Sequence, residues 1–311
     1  MSKLIIDYNQ KKEPDFIGDI HGYFDELIQL FEKMGYIYEN GIYKHPDRFP
    51  VFIGDYIDRG PKIFETIELV KRMQETGNAI ALMGNHEFNY LELHYKNVDG
   101  NTFRSQSKRN QVTATDEALA EKDKGMYLHW MSKLPIAIDS EHFRAVHAQW
   151  EEEAIEILKD SKIEKLDENG LRIVHSNSKL CKSIEVLLKG KELKLPENLH
   201  YRDHGSEKRT EARIKWWQPR TRTQFGEDFA SLPEHMNNKD ISNFGHDYVF
   251  YYDNNQKPVF FGHYWMDANN VALMNSNVCC VDYSIAKKGI LVAYRHTQSE
   301  VLSNDYFITH Q

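Results

Sequence analysis

Cysteine is scarce in this chain: Cys181, Cys279 and Cys280 are the only three among 311 residues. An adjacent pair and one distant thiol cannot build a disulfide framework and have no zinc-ligand spacing, so the fold must be held by packing. The pair lies in the apolar run "NVCCVDY", where reduced, buried thiols are expected. Long apolar runs are missing too. The opening "MSKLIIDYNQKKEPD" lacks the apolar stretch of a signal peptide, and no segment approaches the roughly 18 apolar residues of a membrane span. A cytoplasmic location without a membrane partner is the expectation. Positive charge is in deficit, with a formal net charge of −8, which makes nucleic acid an unexpected partner. Residues 181–222 depart from that balance, with eleven Lys and Arg against six Asp and Glu. Such a segment is either a solvated face or a patch that draws an anionic substrate.

What the chain does have is enough apolar material for a full core, 41% hydrophobic and 12% aromatic. One large domain over 1–311 is expected. The first 90 residues read as repeated strand, loop and helix units. "DFIGD" and "PVFIGD" are short apolar runs ending in Gly-Asp, and "NAIALMGN" ends in Gly-Asn. Helical patterns follow the first two. One carries Phe24, Leu27, Ile28, Phe31 and Met34 on one face and stops at Gly35; the other opens at Pro61 and closes at Gly77. Alternating units of this kind predict an α/β fold with its chemistry at the carboxyl ends of strands.

Residues 96–117 are polar and read as a loop before a helical stretch over 118–135, and "HFRAVHA" reads as a strand ending at His147. The stretch 149–257 mixes charged helical patterns with loops, without repeats, and is expected to be a cap inserted into the core. The strand-rich runs "PVFFGH", "NVCCVDYSI" and "GILVAYRH" are expected to complete a second sheet.

Five strand ends thus carry hard or borderline metal ligands: Asp19 and His21 in "GDIHG", Asp55 and Asp58 in "GDYIDRG", Asn85 and His86 in "GNHE", then His147 and His263. Carboxylates, imidazoles and an amide converging from five strand ends suit two divalent ions bridged by one carboxylate. Each piece alone reads equally as a turn or a helix cap. Their conjunction, in this order and each on a strand-to-helix turn, favours ligands. His200, His204 and His246 are expected to be structural or exposed, Tyr264 and Trp265 to line the pocket or the core, and Asp282 to support the site by hydrogen bonding.

With "VHA", "FGH", "CVDYS" and "KWWQP" added, these motifs resemble the calcineurin-like metallophosphoesterases, most closely the phosphoprotein phosphatase branch that includes bacterial diadenosine tetraphosphate hydrolases. The resemblance implies a four-layer sandwich, two packed mixed β-sheets flanked by helices, with an inserted cap over 149–257. It implies that Asp19, His21 and Asp55 hold one metal and that Asp55, Asn85, His147 and His263 hold the other, as manganese, iron or zinc in a divalent or trivalent state. It further implies that Arg59 grips phosphate, that His86 protonates the leaving group, that Asp58 orients His86, and that Arg222 or Arg220 supplies a second phosphate contact. The expected reaction is direct hydrolysis of phosphate monoesters, on proteins or small molecules, by a metal-activated hydroxide. Hydrolysis of a dinucleoside polyphosphate is the alternative, and a catalytically inactive metal-binding interaction module is the reading from another class.

Overall fold

The computed structural model describes residues 3–195, 199–202, 208–221, 223–230, 232–240, 250–297 and 301–311. Arg222, His204 and His246 lie outside the described residues. Two mixed sheets form the centre. Among the described residues one has six strands, in the order Asp282–Tyr283, Ile290–Arg295, Glu13–Ile17, Arg48–Phe52 and Ile80–Ala81, with Phe307–Thr309 also paired to Ile290–Arg295. The other has five, in the order Ile5–Ile6, Ala137–Asp139, Arg144–Val146, Val259–Phe261 and Val278–Cys280.

The period-two alternation of strand side chains explains why the sheets stack. Phe16, Val51 and Ile53 from the first sheet meet Ile138, Ala145, Phe260 and Cys279 from the second in one inner cluster. Phe16 and Phe260 stack with ring centroids 3.7 Å apart. Their neighbours Ile17, Phe52, Val259, Phe261 and Cys280 point outward into a second cluster that includes the helices. The helix Phe24–Lys33 buries Leu27, Leu30 and Phe31, and the chain leaves it through Gly35 at φ +82°. Helices Glu152–Ser161 and Ser178–Lys189 put Ile155, Leu158 and Leu187 on the outer side of the other sheet. Helices outside two stacked sheets make the expected four layers.

Register sets where the motifs emerge. Glu13–Ile17, Arg48–Phe52 and Ile80–Ala81 run parallel, with Ile17 opposite Phe52 and Phe52 opposite Ala81. Their carboxyl ends, and the loops at 18–22, 54–60 and 82–84, therefore leave from one edge. In the other sheet Val259–Phe261 runs parallel to Arg144–Val146, so His147 and His263 leave from corresponding ends.

Three local expectations change. Residues 96–117 are not all loop: a 3₁₀ turn spans Gln106–Val112 and a helix spans Thr113–Ala118. This short helix is held by tertiary hydrogen bonds of Thr115 and Asp116, which a polar sequence does not advertise. The helical stretch over 118–135 is shorter, Lys124–Met131, because Asp123 starts it by accepting the Met126 N–H at 3.2 Å. The carboxyl-terminal strands also serve both sheets. Val259–Phe261 and Val278–Cys280 join the five-stranded sheet, and the chain then crosses at Val281 so that Ile290–Arg295 pairs antiparallel to Glu13–Ile17.

Within 149–257 lie the three helices that end at Lys189, then a three-stranded antiparallel sheet of Glu192–Lys194, Glu211–Ile214 and Phe229–Ala230.

Candidate metal centre

The site is built by loops in conformations that most residues avoid. His21, Asp55, Asp58, Arg59 and His263 all have φ between +49° and +70°. The left-handed region costs a non-glycine residue roughly 1–3 kcal/mol, so five such residues need strong local fastening. The first two loops supply it to each other: the Asp55 carbonyl accepts the N–H groups of Ile20 and His21, and the His21 carbonyl accepts that of Gly60.

Glu87, the last letter of "GNHE", completes the fastening. Its buried carboxylate accepts the backbone N–H groups of Gly84, Asp55, Tyr56 and Ile57 at 2.8–3.3 Å, tying the third loop to the second. Glu87→Ala would leave these four donors without their acceptor, and unmade buried bonds cost about 1–3 kcal/mol each. Allowing for relaxation, urea denaturation should show a stability loss of about 3 kcal/mol.

The carboxylate of Asp55 is the hub. Its Oδ2 lies 3.5 Å from His21 Nε2 and 3.9 Å from His86 Nε2, and its Oδ1 lies 3.4 Å from His147 Nε2. Potential ligand atoms of His21, Asp55 and His86 fall within 4.8 Å of one another, and so do those of Asp55, His147 and His263. Asn85 joins the second group through Oδ1, 3.1 Å from His147 Nε2. Asp19 is in neither group and stands beside His263, its two oxygens 3.3 and 3.1 Å from that residue's backbone nitrogen. Approach is so close that a Cβ at Gly84 would overlap Asp55, and one at Gly262 would overlap Asp19.

These residues fit metal ions. Carbonyl oxygens can only accept, so the 2.8 Å contact of His21 Nδ1 with Ile57 O and the 2.9 Å contact of His147 Nδ1 with Ile53 O place protons on Nδ1. In the neutral form each Nε2 then aims its lone pair at the centre, the orientation that backbone carbonyls give to metal-binding histidines. Without a cation, burial opposes the charged His147 ring but Asp55 outweighs it and raises the His147 pKa. His21 Nε2 and His263 Nε2 are buried without hydrogen-bond partners. Burial pushes the His21 ring down to about 3, reinforced by His86. Burial, Arg213 and His147 hold His263 well below its usual value, so both rings are neutral at pH 7, the ligand form. Asp19 moves the other way: burial, Asp282 and Asp55 push its carboxyl well above its usual range. Crowded carboxylates of this kind are relieved by a cation.

Next to the hub stands a dyad. His86 Nδ1 lies 2.6 Å from Asp58 Oδ2. Burial opposes the charged ring, but Asp55 and Asp58 outweigh it and raise the His86 pKa. Arg59, next in sequence, is exposed, and its guanidinium stands 4.8 Å over the ring of Trp265. Lys287 stands over the same ring at 3.0 Å.

Of the two arginines expected after "KWWQP", Arg220 is held by Asp228, Nε to Oδ2 at 3.2 Å, and packs over Phe229, with Nη1 and Nη2 buried without hydrogen-bond partners. The cation that the sequence reading missed is Arg213. It lies before that motif, 5.3 Å over the Tyr264 ring, and its charge bears on His263. Alternation in "EARIKWW" could have singled it out as a cation between buried Ala212 and Ile214. Tyr264 is buried against Trp217 and Phe261. Asp282 accepts the N–H groups of Trp265 and Ser284 at 2.7 and 2.9 Å, a supporting position.

Comparison with known proteins adds a family and a fold. A family model described as calcineurin-like phosphoesterase matches residues 15–264. The asymmetrical bis(5'-nucleosyl)-tetraphosphatase PrpE of Halalkalibacterium halodurans is 49% identical over 73 residues, covering 23% of this chain and 30% of the relative. The protein of the same name from Bacillus subtilis is 38% identical over 111 residues, covering 35% and 44%. The chain thus spans less than half the length of these curated relatives. Among solved structures, a cold-active protein tyrosine phosphatase superposes with a TM-score of 0.50 at 18% identity, over 99% of this chain and 80% of the other, which shows the shared fold. No helix among the described residues is long and apolar enough to cross a membrane.

Proposed function

This chain belongs to the calcineurin-like phosphoesterases, and on that premise we propose that it is a dinuclear-metal hydrolase acting on the phosphoanhydride of a dinucleoside polyphosphate. The observation that carries the hydrolase reading is the sharing of one carboxylate, Asp55, by two buried groups of metal-ligating side chains. The names of the tetraphosphatase relatives support the polyphosphate as substrate. So does the number of cations. Arg59 and Lys287 stand over Trp265, and Arg213, 3.6 Å from Glu192, stands over Tyr264, a set of cations wider than one phosphoryl group requires.

In this reading Asp19, His21 and Asp55 hold one ion, and Asp55, Asn85, His147 and His263 hold the other. The family uses two divalent metals, and manganese, iron or zinc suits these mixed N and O donors. When bound, they supply an activated water and neutralise phosphoryl charge. Arg59 takes two phosphoryl oxygens through its planar fork and orients the group for attack. His86 carries a proton on Nε2 toward the leaving oxygen, and Asp58 holds the other ring nitrogen. Within 149–257 the three-stranded sheet acts as the selective part, through Arg213.

The dyad supports a phosphate monoester as second reading, because a serine or alkyl alkoxide needs an acid more than a nucleotide phosphate does. The manganese-loaded protein should be offered diadenosine tetraphosphate, a phosphoserine peptide and an aryl phosphate in parallel. Preference for the tetraphosphate by about tenfold or more in kcat/KM is the expected result. A higher kcat/KM for the peptide or aryl ester would overturn the polyphosphate reading in favour of a monoesterase.

A further inference from the structure

The polar stretch over residues 96–117 reaches the dyad through Thr115. Thr115 is fully buried, and its hydroxyl makes two contacts with the same residue. Its oxygen accepts the Asp58 backbone N–H at 3.0 Å, and it donates to Asp58 Oδ1 at 2.5 Å. A hydroxyl has one proton. With its oxygen engaged by an N–H, that proton goes to Oδ1, which must act as an acceptor. Oδ2 is then the oxygen left for His86 Nδ1, and it lies 2.6 Å away. The Asp58 backbone is in the left-handed region at φ +67°, a conformation that persists only where neighbours hold it, as the Thr115 oxygen does through the Asp58 N–H.

Thr115 is itself held. Its neighbour Asp116 accepts from Tyr90 Oη, Arg109 and Lys124 at 2.7–3.1 Å, and His94 Nε2 lies 2.9 Å from the same carboxylate. Tyr90 and His94 belong to Asn85–His94, the same helix that carries His86 near its amino terminus. The helix Thr113–Ala118 is therefore clamped onto the element that bears the acid, and the clamp aims Thr115 at the carboxylate.

We propose that Thr115 is a positioning residue for catalysis: by locking Asp58 Oδ1 it presents Oδ2 to His86 and so holds the proton-donating ring in its working orientation. This rests on the reading of His86 as the acid. The proton balance is simple. His86 gives its Nε2 proton to the departing oxygen, the Nδ1 proton stays in the bond to Asp58, and Thr115 exchanges none.

The test compares Thr115→Val, which keeps the shape and removes the hydroxyl, with Thr115→Ser, which keeps the hydroxyl, and with His86→Asn, all as full-length zinc-loaded protein. Substrates are an alkyl phosphate, with a poor leaving group, and a nitrophenyl phosphate, with a good one. Loss of an orienting partner commonly costs about 10–100-fold. Thr115→Val is expected to lose that much kcat on the alkyl ester and less than about threefold on the aryl ester, with KM nearly constant and Thr115→Ser close to wild type. A readout independent of turnover is the downfield proton resonance of the His86 Nδ1–H bonded to Asp58. It should be present in wild type and Thr115→Ser, absent in His86→Asn, and shifted or lost in Thr115→Val. Equal losses on both esters in Thr115→Val, or an unchanged resonance, would overturn the role of Thr115 while leaving His86 as the acid. If His86→Asn itself shows no leaving-group dependence, the acid reading falls and this role falls with it.

Discussion

Asp55→Asn is expected to abolish metal binding at both positions and to lower turnover by about three orders of magnitude or more. The substitution is nearly isosteric, so the argument is electrostatic. Asp55 is the one residue in both ligand groups, with Oδ2 toward His21 and Oδ1 toward His147. Burial works against its charge, but His147 and His86 outweigh it and hold the carboxyl well below its usual range. The His86 N–H at the start of the helix Asn85–His94 also donates to Oδ1 at 3.0 Å. An amide removes the negative charge that two cations would share and directs an NH₂ at an imidazole lone pair. Metal content measured by plasma emission and turnover with saturating manganese should fall together. Retention of both metals would show that Asp55 does not bridge.

His86→Asn should behave differently. The loss expected for a missing general acid is about 10²–10⁴-fold on a poor leaving group, and far less on an activated aryl ester. Metal content should stay unchanged, because His86 serves in this reading as an acid and not a ligand. The geometry makes this a sharp test. His86 Nε2 is close enough to Asp55 to count among the groups that could hold an ion, whereas its Nδ1 is engaged by Asp58 and its pKa is raised by Asp55 and Asp58 against burial. A protonated ring is a poor ligand and a good donor, and both carboxylates favour that form. Loss of one metal in His86→Asn would assign the residue to the first ion and remove it from proton transfer.

Much of this site can be read in one dimension because a parallel sheet converts sequence order into position. Short apolar runs ending in Gly-Asp or Gly-Asn must each present their next residues at the same sheet edge, so Asp19, His21, Asp55, Asn85 and His86 are bound to meet once the strands pair. Residues whose role depends on what lies across the fold were less legible. Glu87 was visible as a letter of a motif, but only folding places four backbone N–H groups around it. Thr115 sat in a stretch that read as loop, with no periodicity to mark it as buried. Arg213 precedes the motif beside which a cation is expected, and the packing of the sheet Glu192–Lys194, Glu211–Ile214 and Phe229–Ala230 turns it toward Tyr264 while Asp228 holds Arg220 by its Nε.

By itself, then, the sequence determined the α/β class, the strand-end loops and which candidate ligand side chains those loops carry, because hydrophobic period, glycine placement and ligand chemistry are local properties. Tertiary structure decided which oxygen of Asp55 faces which imidazole, how Asp58 and His86 are locked, and which cations stand near the centre. Those depend on distances between residues far apart in the chain, and only the stacking of the two sheets and the helices clamped across them sets those distances.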